Sequence, residues 1–132
     1  MASNFLSLDV GERRVGVAIA NVVARLPRPL VTLDNTEQIW QEIAGLIAEH
    51  DVETLVVGLP RNLSGEDTAQ TTYVRDFAAK IEGIEIAFQD EALTSRKAEN
   101  ELQQRGKPFA KGDIDALAAT YILEDYLSMH RV

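Results

Sequence analysis

The chain has 132 residues, carries a net charge of −8 at neutral pH and contains no cysteine. This length predicts a single domain over residues 1–132, with a core large enough to fold alone. The lack of cysteine excludes disulfides, thiolate metal sites and cysteine nucleophiles, and the acidic balance argues against a generic, basic nucleic-acid binder.

No segment indicates export or a membrane span. The first residues lack the basic segment and long apolar stretch of a signal peptide. No run approaches the roughly 20 apolar residues that a bilayer-spanning helix needs. We therefore expect a cytoplasmic protein with no membrane partner.

The N-terminal third of the chain predicts three strands. Alternating apolar residues predict a hairpin whose strands run from Asn4 to Val10 and from Arg14 to Ala20, with a tight turn at Gly11. The two prolines between Arg25 and Pro29 predict a loop, and Leu30–Leu33 predicts a short third strand.

Helices and strands alternate over the rest of the chain. Isoleucines at helical spacing predict a first helix from Glu37 to His50, with Asn35 or Thr36 as its N-cap. The later elements are predicted as a buried strand at Thr54–Leu59, a helix at Thr68–Ile81, a strand from Ile84 that ends at Asp90 and Glu91, a helix capped by Thr94 or Ser95, and a last helix from its cap Asp113 to about Ser128. This order predicts an α/β sandwich with a sheet of mixed strand directions.

Three carboxylates lie at the ends of these elements. Asp9 nearly ends the first strand, Glu91 follows the last strand, and Asp115 lies in the first turn of the last helix. Ligand sites in α/β sheets gather at the carboxyl ends of strands, so Asp9 and Glu91 are candidates for one shared site. Helical geometry places Asp115 on the same face as Ala118 and Ala119, where a buried carboxylate needs a partner such as a cation.

Each acid also has a structural interpretation. Asp9 could accept backbone N–H groups of Gly11 or Glu12, Glu91 could be a solvated loop acid, and Asp115 could stabilise the helix dipole. Taken together, three acids without a serviceable histidine or cysteine indicate Mg²⁺ or Mn²⁺, which prefer hard oxygen ligands. Two such ions can promote phosphodiester cleavage.

Five segments, in order, carry a family resemblance. They read "LSLDVGERRVGVAIAN", "VVGLPRNLSG", "VRDFAAKI", "DEALTS" and "DIDALAATYILEDYL", and together they resemble the YqgF (RuvX) family of Holliday-junction-resolvase-like proteins. The resemblance implies a ribonuclease H-like α/β fold, with a mixed five-stranded sheet and helices on both faces. It also implies a metal-dependent nuclease that processes the 5′ end of the 16S ribosomal RNA precursor or, alternatively, resolves Holliday junctions.

The resemblance assigns roles to particular residues. Asp9, Glu91 and Asp115 match the family's acids, and they are the same three that element ends select. The family commonly has an arginine after the glutamate. This chain has Ala92 at that position, and we expect weaker substrate binding for that reason. The loop "GLPRNLSG" would line the cleft, with Arg61 and Asn62 contacting phosphates. A basic rim is expected from Arg13, Arg96, Lys107 and Lys111.

Each of these residues also has an interpretation without a substrate contact. The cations could be ordinary solvated surface residues, and Asn62 could be an ordinary loop residue. A junction resolvase would need a symmetric dimer, and without an obvious dimer seam we expect a monomer or weak homodimer.

Ala92 and the acidic charge also suit a non-catalytic module that binds nucleic acid or ribosomal particles. "DVGERRVGVAI" is similar to a phosphate loop of the sugar-kinase and actin type, but 132 residues leave no room for the second domain that closes over ATP.

Overall fold

The computed structural model describes residues 3–62, 64–91, 94–107 and 109–130, and the side chains of residues 91 and 94–97 lie outside this description. Its strands and helices follow the predicted order. They are β1 (Asn4–Val10), β2 (Arg14–Asn21), β3 (Arg28–Asp34), α1 (Ile39–Glu49), β4 (Val52–Pro60), α2 (Ala69–Ala79), β5 (Glu85–Glu91), α3 (Thr94–Gln104) and α4 (Lys111–Met129).

The strands form one five-stranded sheet in the order β3-β2-β1-β4-β5. The first three strands are antiparallel neighbours, whereas β4 runs parallel to β1 and β5 runs parallel to β4. The mixed sheet that the sequence predicts is therefore confirmed. The parallel arrangement directs the carboxyl ends of β1, β4 and β5 to the same edge.

Helices cover both faces of the sheet, because alternate residues of each strand pack on opposite sides. One face packs against α1 and α2 through aliphatic side chains that include Leu6, Leu8, Val17, Leu55 and Val57. The other face packs against α4 through a smaller set that includes Phe5, Ala18, Ala20 and Val56. None of the helices in the described ranges has the length and apolarity that a bilayer crossing requires.

The third strand is longer than predicted. We predict a loop through Pro29, but Arg28 and Pro29 belong to β3 and pair with Ile19 and Ala18 of β2. Because β3 is an edge strand, a proline without an N–H group costs no ladder hydrogen bond there. The register shifts between Val17 and Ala18, next to this proline.

Two predicted helix starts are also wrong. Helix α1 begins at Ile39 with Gln38 at its N-cap, so neither Asn35 nor Thr36 caps it, and the side chain of Asn35 donates to Gly11 O (2.8 Å). Helix α4 begins at Lys111, so Asp113 is not its N-cap. Its carboxylate accepts the N–H of Ala110 (2.9 Å) from inside the first turn, which satisfies one of the unpaired N–H groups of the helix start.

Helix α3 packs on α4 through a small apolar cluster that includes Leu102, Leu117 and Tyr121. The phenol of Tyr121 donates to Glu101 Oε2 at 2.6 Å. Burial, and after it this hydrogen bond, raises the pKa of Tyr121 above its ordinary value. The phenol therefore stays protonated at alkaline pH values at which an ordinary tyrosine ionises, and it keeps donating across the helix pair.

Gly16 permits α4 to approach the sheet closely. A Cβ atom built on Gly16 would lie 1.9 Å from the backbone oxygen of Asp115, which is far inside any tolerated contact. The neighbouring residues on this face are also small or polar, and Ser7 Oγ donates to Ala119 O at 2.7 Å. The lack of a side chain at Gly16 thus determines where the first turns of α4 lie.

We predict that Gly16→Ala destabilises the protein by about 3 kcal/mol or more, because the new methyl group can be accommodated only by displacing helix backbone. The matched control is Gly45→Ala in α1, where a Cβ atom meets nothing within 4 Å. That change should stabilise the protein by about 0.5–1 kcal/mol. Urea unfolding followed by circular dichroism measures both, and equal stabilities would contradict the close packing.

Candidate active site

Asp9 lies near the carboxyl end of β1, on the face of the sheet that α4 covers. It is directly opposite Gly16 in the antiparallel pair with β2, and it shares its face with Ser7 two residues earlier. The N–H of Gly11 donates to Arg14 O (2.9 Å) to close the hairpin turn. The interpretation in which Asp9 accepts the N–H of Gly11 or Glu12 stays a prediction, as does its role in holding a cation.

Asp115 projects from the first turns of α4 toward β2. Its Oδ2 accepts a hydrogen bond from Arg14 Nε at 2.6 Å, and the two side chains are 20% and 33% exposed. The prediction that Asp115 shares a packing face is confirmed, because Ala118 and Ala119 are fully buried. The cation that this position requires is supplied, within the described part of the chain, by Arg14.

The two aspartates meet at Gly16. Asp9 is its partner across the strand pair, and the backbone of Asp115 lies against its Cα. Thr32 of β3, opposite Gly16 on the other side, holds the start of the helix through a hydrogen bond from its Oγ1 to Gly112 O (2.5 Å). Residues 9 and 115, 106 positions apart in sequence, are thereby brought to one place on the sheet.

The third predicted acid, Glu91, is the last residue of β5 and pairs with Pro60 of β4. Its side chain lies outside the described residues, as does the whole of Ala92. Among the side chains that are described, no group of three histidine, cysteine, aspartate or glutamate residues is placed to hold a metal ion. The participation of Glu91 as a third ligand remains a prediction.

Arg61 links the loop after β4 to the end of β5, and Asn62 binds the loop in which it lies. Arg61 Nη1 donates to Asp90 Oδ2 (3.1 Å), and its buried Nε lies 3.1 Å from Asp67 Oδ1, though not in line for a hydrogen bond. Asn62 Oδ1 accepts the N–H groups of Ser64 (3.0 Å) and Glu66 (2.9 Å). Their contacts with substrate stay predictions. In this structure Asn62 organises the strand-to-helix loop, and Arg61 holds that loop against β5.

The predicted basic rim is partly described. Arg13, in the turn after β1, is exposed and directly precedes Arg14, and Lys111, the first residue of α4, is exposed one helical turn before Asp115. Lys107 is exposed after α3, and the side chain of Arg96 lies outside the described residues.

The sequence reasoning did not select Arg14 as a site residue. The available signal was strand alternation, because Arg14 lies two residues before Gly16 and four before Ala18, on the same face of β2. A strand face that reads arginine, glycine, alanine predicts a cation beside a closely packed helix. The acid that it meets, Asp115, could not be identified from that pattern.

Comparison with known proteins gives a consistent result. The model of the RuvX family, described as Holliday junction resolvase, matches residues 3–129. Relatives named "Putative pre-16S rRNA nuclease" occur in Chloroflexus aggregans (43% identical, covering 96% of this chain and 94% of the relative) and in Sulfurihydrogenibium sp. (37% identical, covering 95% and 90%).

Solved structures agree on the fold. Thermus thermophilus RuvC in complex with a Holliday junction substrate superposes with a TM-score of 0.55 at 15% identity, over 96% of both chains. The fowlpox virus Holliday junction resolvase gives a TM-score of 0.54 at 11% identity, over 96% of this chain and 99% of the other. These neighbours confirm the ribonuclease H-like fold class.

We predict that the Arg14–Asp115 pair has a coupling free energy of about 1 kcal/mol, because both side chains are mostly buried and the contact is short. The measurement is a double-mutant cycle with Arg14→Gln and Asp115→Asn in urea unfolding. The exposed pair of Arg105 and Glu101, at 3.5 Å, is the matched control and should couple by only about 0.3–0.5 kcal/mol. Coupling near zero at the Arg14 pair would contradict its assignment as the partner of Asp115.

Proposed function

Because this chain belongs to the RuvX family, we propose that it is a metal-dependent nuclease that hydrolyses phosphodiester bonds. The single observation that carries this proposal is the convergence of Asp9 and Asp115 at Gly16, from different elements of the fold. Carboxylates gathered on one sheet face, at the carboxyl end of β1, form the kind of site that binds a hard cation.

The residues present suit Mg²⁺ or Mn²⁺ by their chemistry. Asp9 and Asp115 would hold the ion, and Glu91 is proposed as the third ligand. Bound divalent ions supply a water of lowered pKa and positive charge near the leaving oxygen. Asp115 is oriented by Arg14, whose Nε contacts only one of its two carboxylate oxygens, Oδ2.

The proposed substrate is the 16S ribosomal RNA precursor, cleaved at its 5′ end. Support comes from the names of the relatives, which cover more than nine-tenths of this chain. Ribosomal particles that carry the precursor would then be its partners, and the cytoplasm its place of action. Arg13, Arg61, Asn62, Arg96 and Lys111 are proposed to contact the RNA backbone, as phosphate contacts position a nucleic acid on a protein.

Resolution of Holliday junctions is the second candidate, and it is favoured by the description of the family. Two strands must be cut symmetrically, so a junction resolvase needs two active sites in a dimer. Light scattering with and without a four-way junction separates the candidates, because the junction should yield a 2:1 complex if it is the substrate.

We predict that Asp9→Asn and Asp115→Asn each lower the cleavage rate at least about 100-fold, because each removes a charged ligand. The assay offers precursor RNA and a synthetic four-way junction side by side with Mg²⁺, Mn²⁺ or EDTA. Asp125→Asn, an exposed acid on the same helix, is the matched control and should retain wild-type activity.

Three results would count against the nuclease. If Asp9→Asn cleaves as fast as wild type, the proposed site is contradicted. If cleavage persists in EDTA, the proposed metal dependence is contradicted. Tight binding of RNA without turnover on either substrate would favour the non-catalytic module that Ala92 suggests. Urea unfolding of each variant distinguishes lost chemistry from lost folding.

A further inference from the structure

A cavity of about 260 Å³ lies next to the candidate active site. It is formed by the end of α3, the segment after it, the first half of α4 and Pro29 of β3. Neither Asp9 nor Asp115 lines it, but Ala116, the next residue after Asp115, does. Its volume is slightly below the roughly 300 Å³ at which small-molecule pockets begin, which suits one flat ring system better than a large ligand.

The interior of the cavity is apolar and partly aromatic. Leu102 and Leu117 are buried in the cluster between α3 and α4, and Phe109 packs against that cluster while remaining half-exposed. An aromatic side chain that is half-exposed over an apolar floor leaves part of its ring available for stacking. Stacking on such rings is how proteins bind unpaired bases without reading their sequence.

Two cations line the same cavity. Arg105 and Lys107 are both exposed. Arg105 reaches Glu101 only at 3.5 Å, while Glu101 Oε2 accepts the Tyr121 phenol at 2.6 Å, so the remaining N–H groups of the guanidinium can bind an anion. The acid that lines the cavity, Asp113, is occupied by the N–H of Ala110.

We propose that this cavity binds one unpaired nucleotide, with its base stacked on Phe109 and its phosphate held by Arg105 and Lys107. The combination of a ring with two cations matches a nucleotide, whereas an apolar peptide or lipid chain would not need the charges. In a chain of net charge −8, cations concentrated at one cavity act locally against the general repulsion of nucleic acid.

The proposal deepens the proposed nuclease function and gives it a substrate class. Ala116 lines the cavity and directly follows Asp115 in α4, so the nucleotide in the cavity would belong to the same RNA that the candidate active site cleaves. The enzyme would therefore prefer a cleavage site with a single-stranded segment next to it. A blunt duplex, whose bases are paired and stacked on each other, could not fill the cavity.

The test is the binding of a single-stranded hexaribonucleotide that contains 2-aminopurine, whose fluorescence falls when it stacks. The titration is run in EDTA, so no cleavage interferes. Wild-type protein should bind the probe and quench it. Phe109→Leu should bind about 10-fold more weakly and lose the quenching, whereas Phe109→Tyr, which keeps a ring, should retain both. Binding to a blunt duplex should be the same for all three proteins.

The cations are tested by salt dependence. Arg105→Gln and Lys107→Gln should each lower the slope of log affinity against log salt by about 0.7, the contribution of one phosphate contact to a single strand. The matched control is Lys80→Gln, which changes an exposed lysine at the C-cap of α2 that lies over Trp40, and it should leave the slope unchanged.

The proposal is overturned if wild-type protein does not bind the hexamer, if Phe109→Leu binds and quenches as wild type does, or if that variant loses duplex binding equally. Urea unfolding of each variant shows that the fold is retained. Because binding is measured without cleavage, a negative result leaves the proposed nuclease standing. If the wild-type protein binds the hexamer through Phe109 but never cleaves RNA, the nucleotide-binding proposal stands and the nuclease proposal is contradicted.

Discussion

The contact between Gly16 and the backbone of Asp115 is the constraint on which the candidate site depends. A helix can lie this close to a sheet only where the strand has no side chain, and at Gly16 even a methyl group would overlap the helix oxygen. Because Gly16 is paired with Asp9, the contact that seats α4 also brings the two aspartates together. A substitution at Gly16 would therefore disturb both the packing of α4 on the sheet and the relative position of the two aspartates.

Electrostatics follow from this packing. Asp9 and Asp115 bring like charges to the same side of the sheet, an arrangement that is unfavourable unless a cation offsets it. Arg14 offsets part of that charge by its 2.6 Å contact with Asp115, and it does so from the same strand face as Gly16. The formal charges of Asp9, Asp115 and Arg14 sum to a net negative charge, which a divalent cation can complete.

The sequence predicts the order of the elements and the mixed sheet because β1 and β2 alternate clearly and β4 is a continuous apolar run. It fails where an element's end depends on its neighbours. Pro29 is part of a strand because β3 is at the edge of the sheet, and Asn35 does not cap α1 because its side chain binds the hairpin turn at Gly11. Helix α4 begins two residues before Asp113, where Thr32 of the neighbouring strand β3 donates to Gly112 O.

The sequence by itself determined which acids could act, because Asp9 and Asp115 occupy element ends where a carboxylate requires a partner. Only the tertiary structure decided what those partners are. Arg14 and Asp115 are separated by 101 positions, and no local pattern relates their side chains. The pairing arises because α4 crosses the sheet over Gly16, and a helix crossing is determined by the packing of all the faces together, which no single segment encodes.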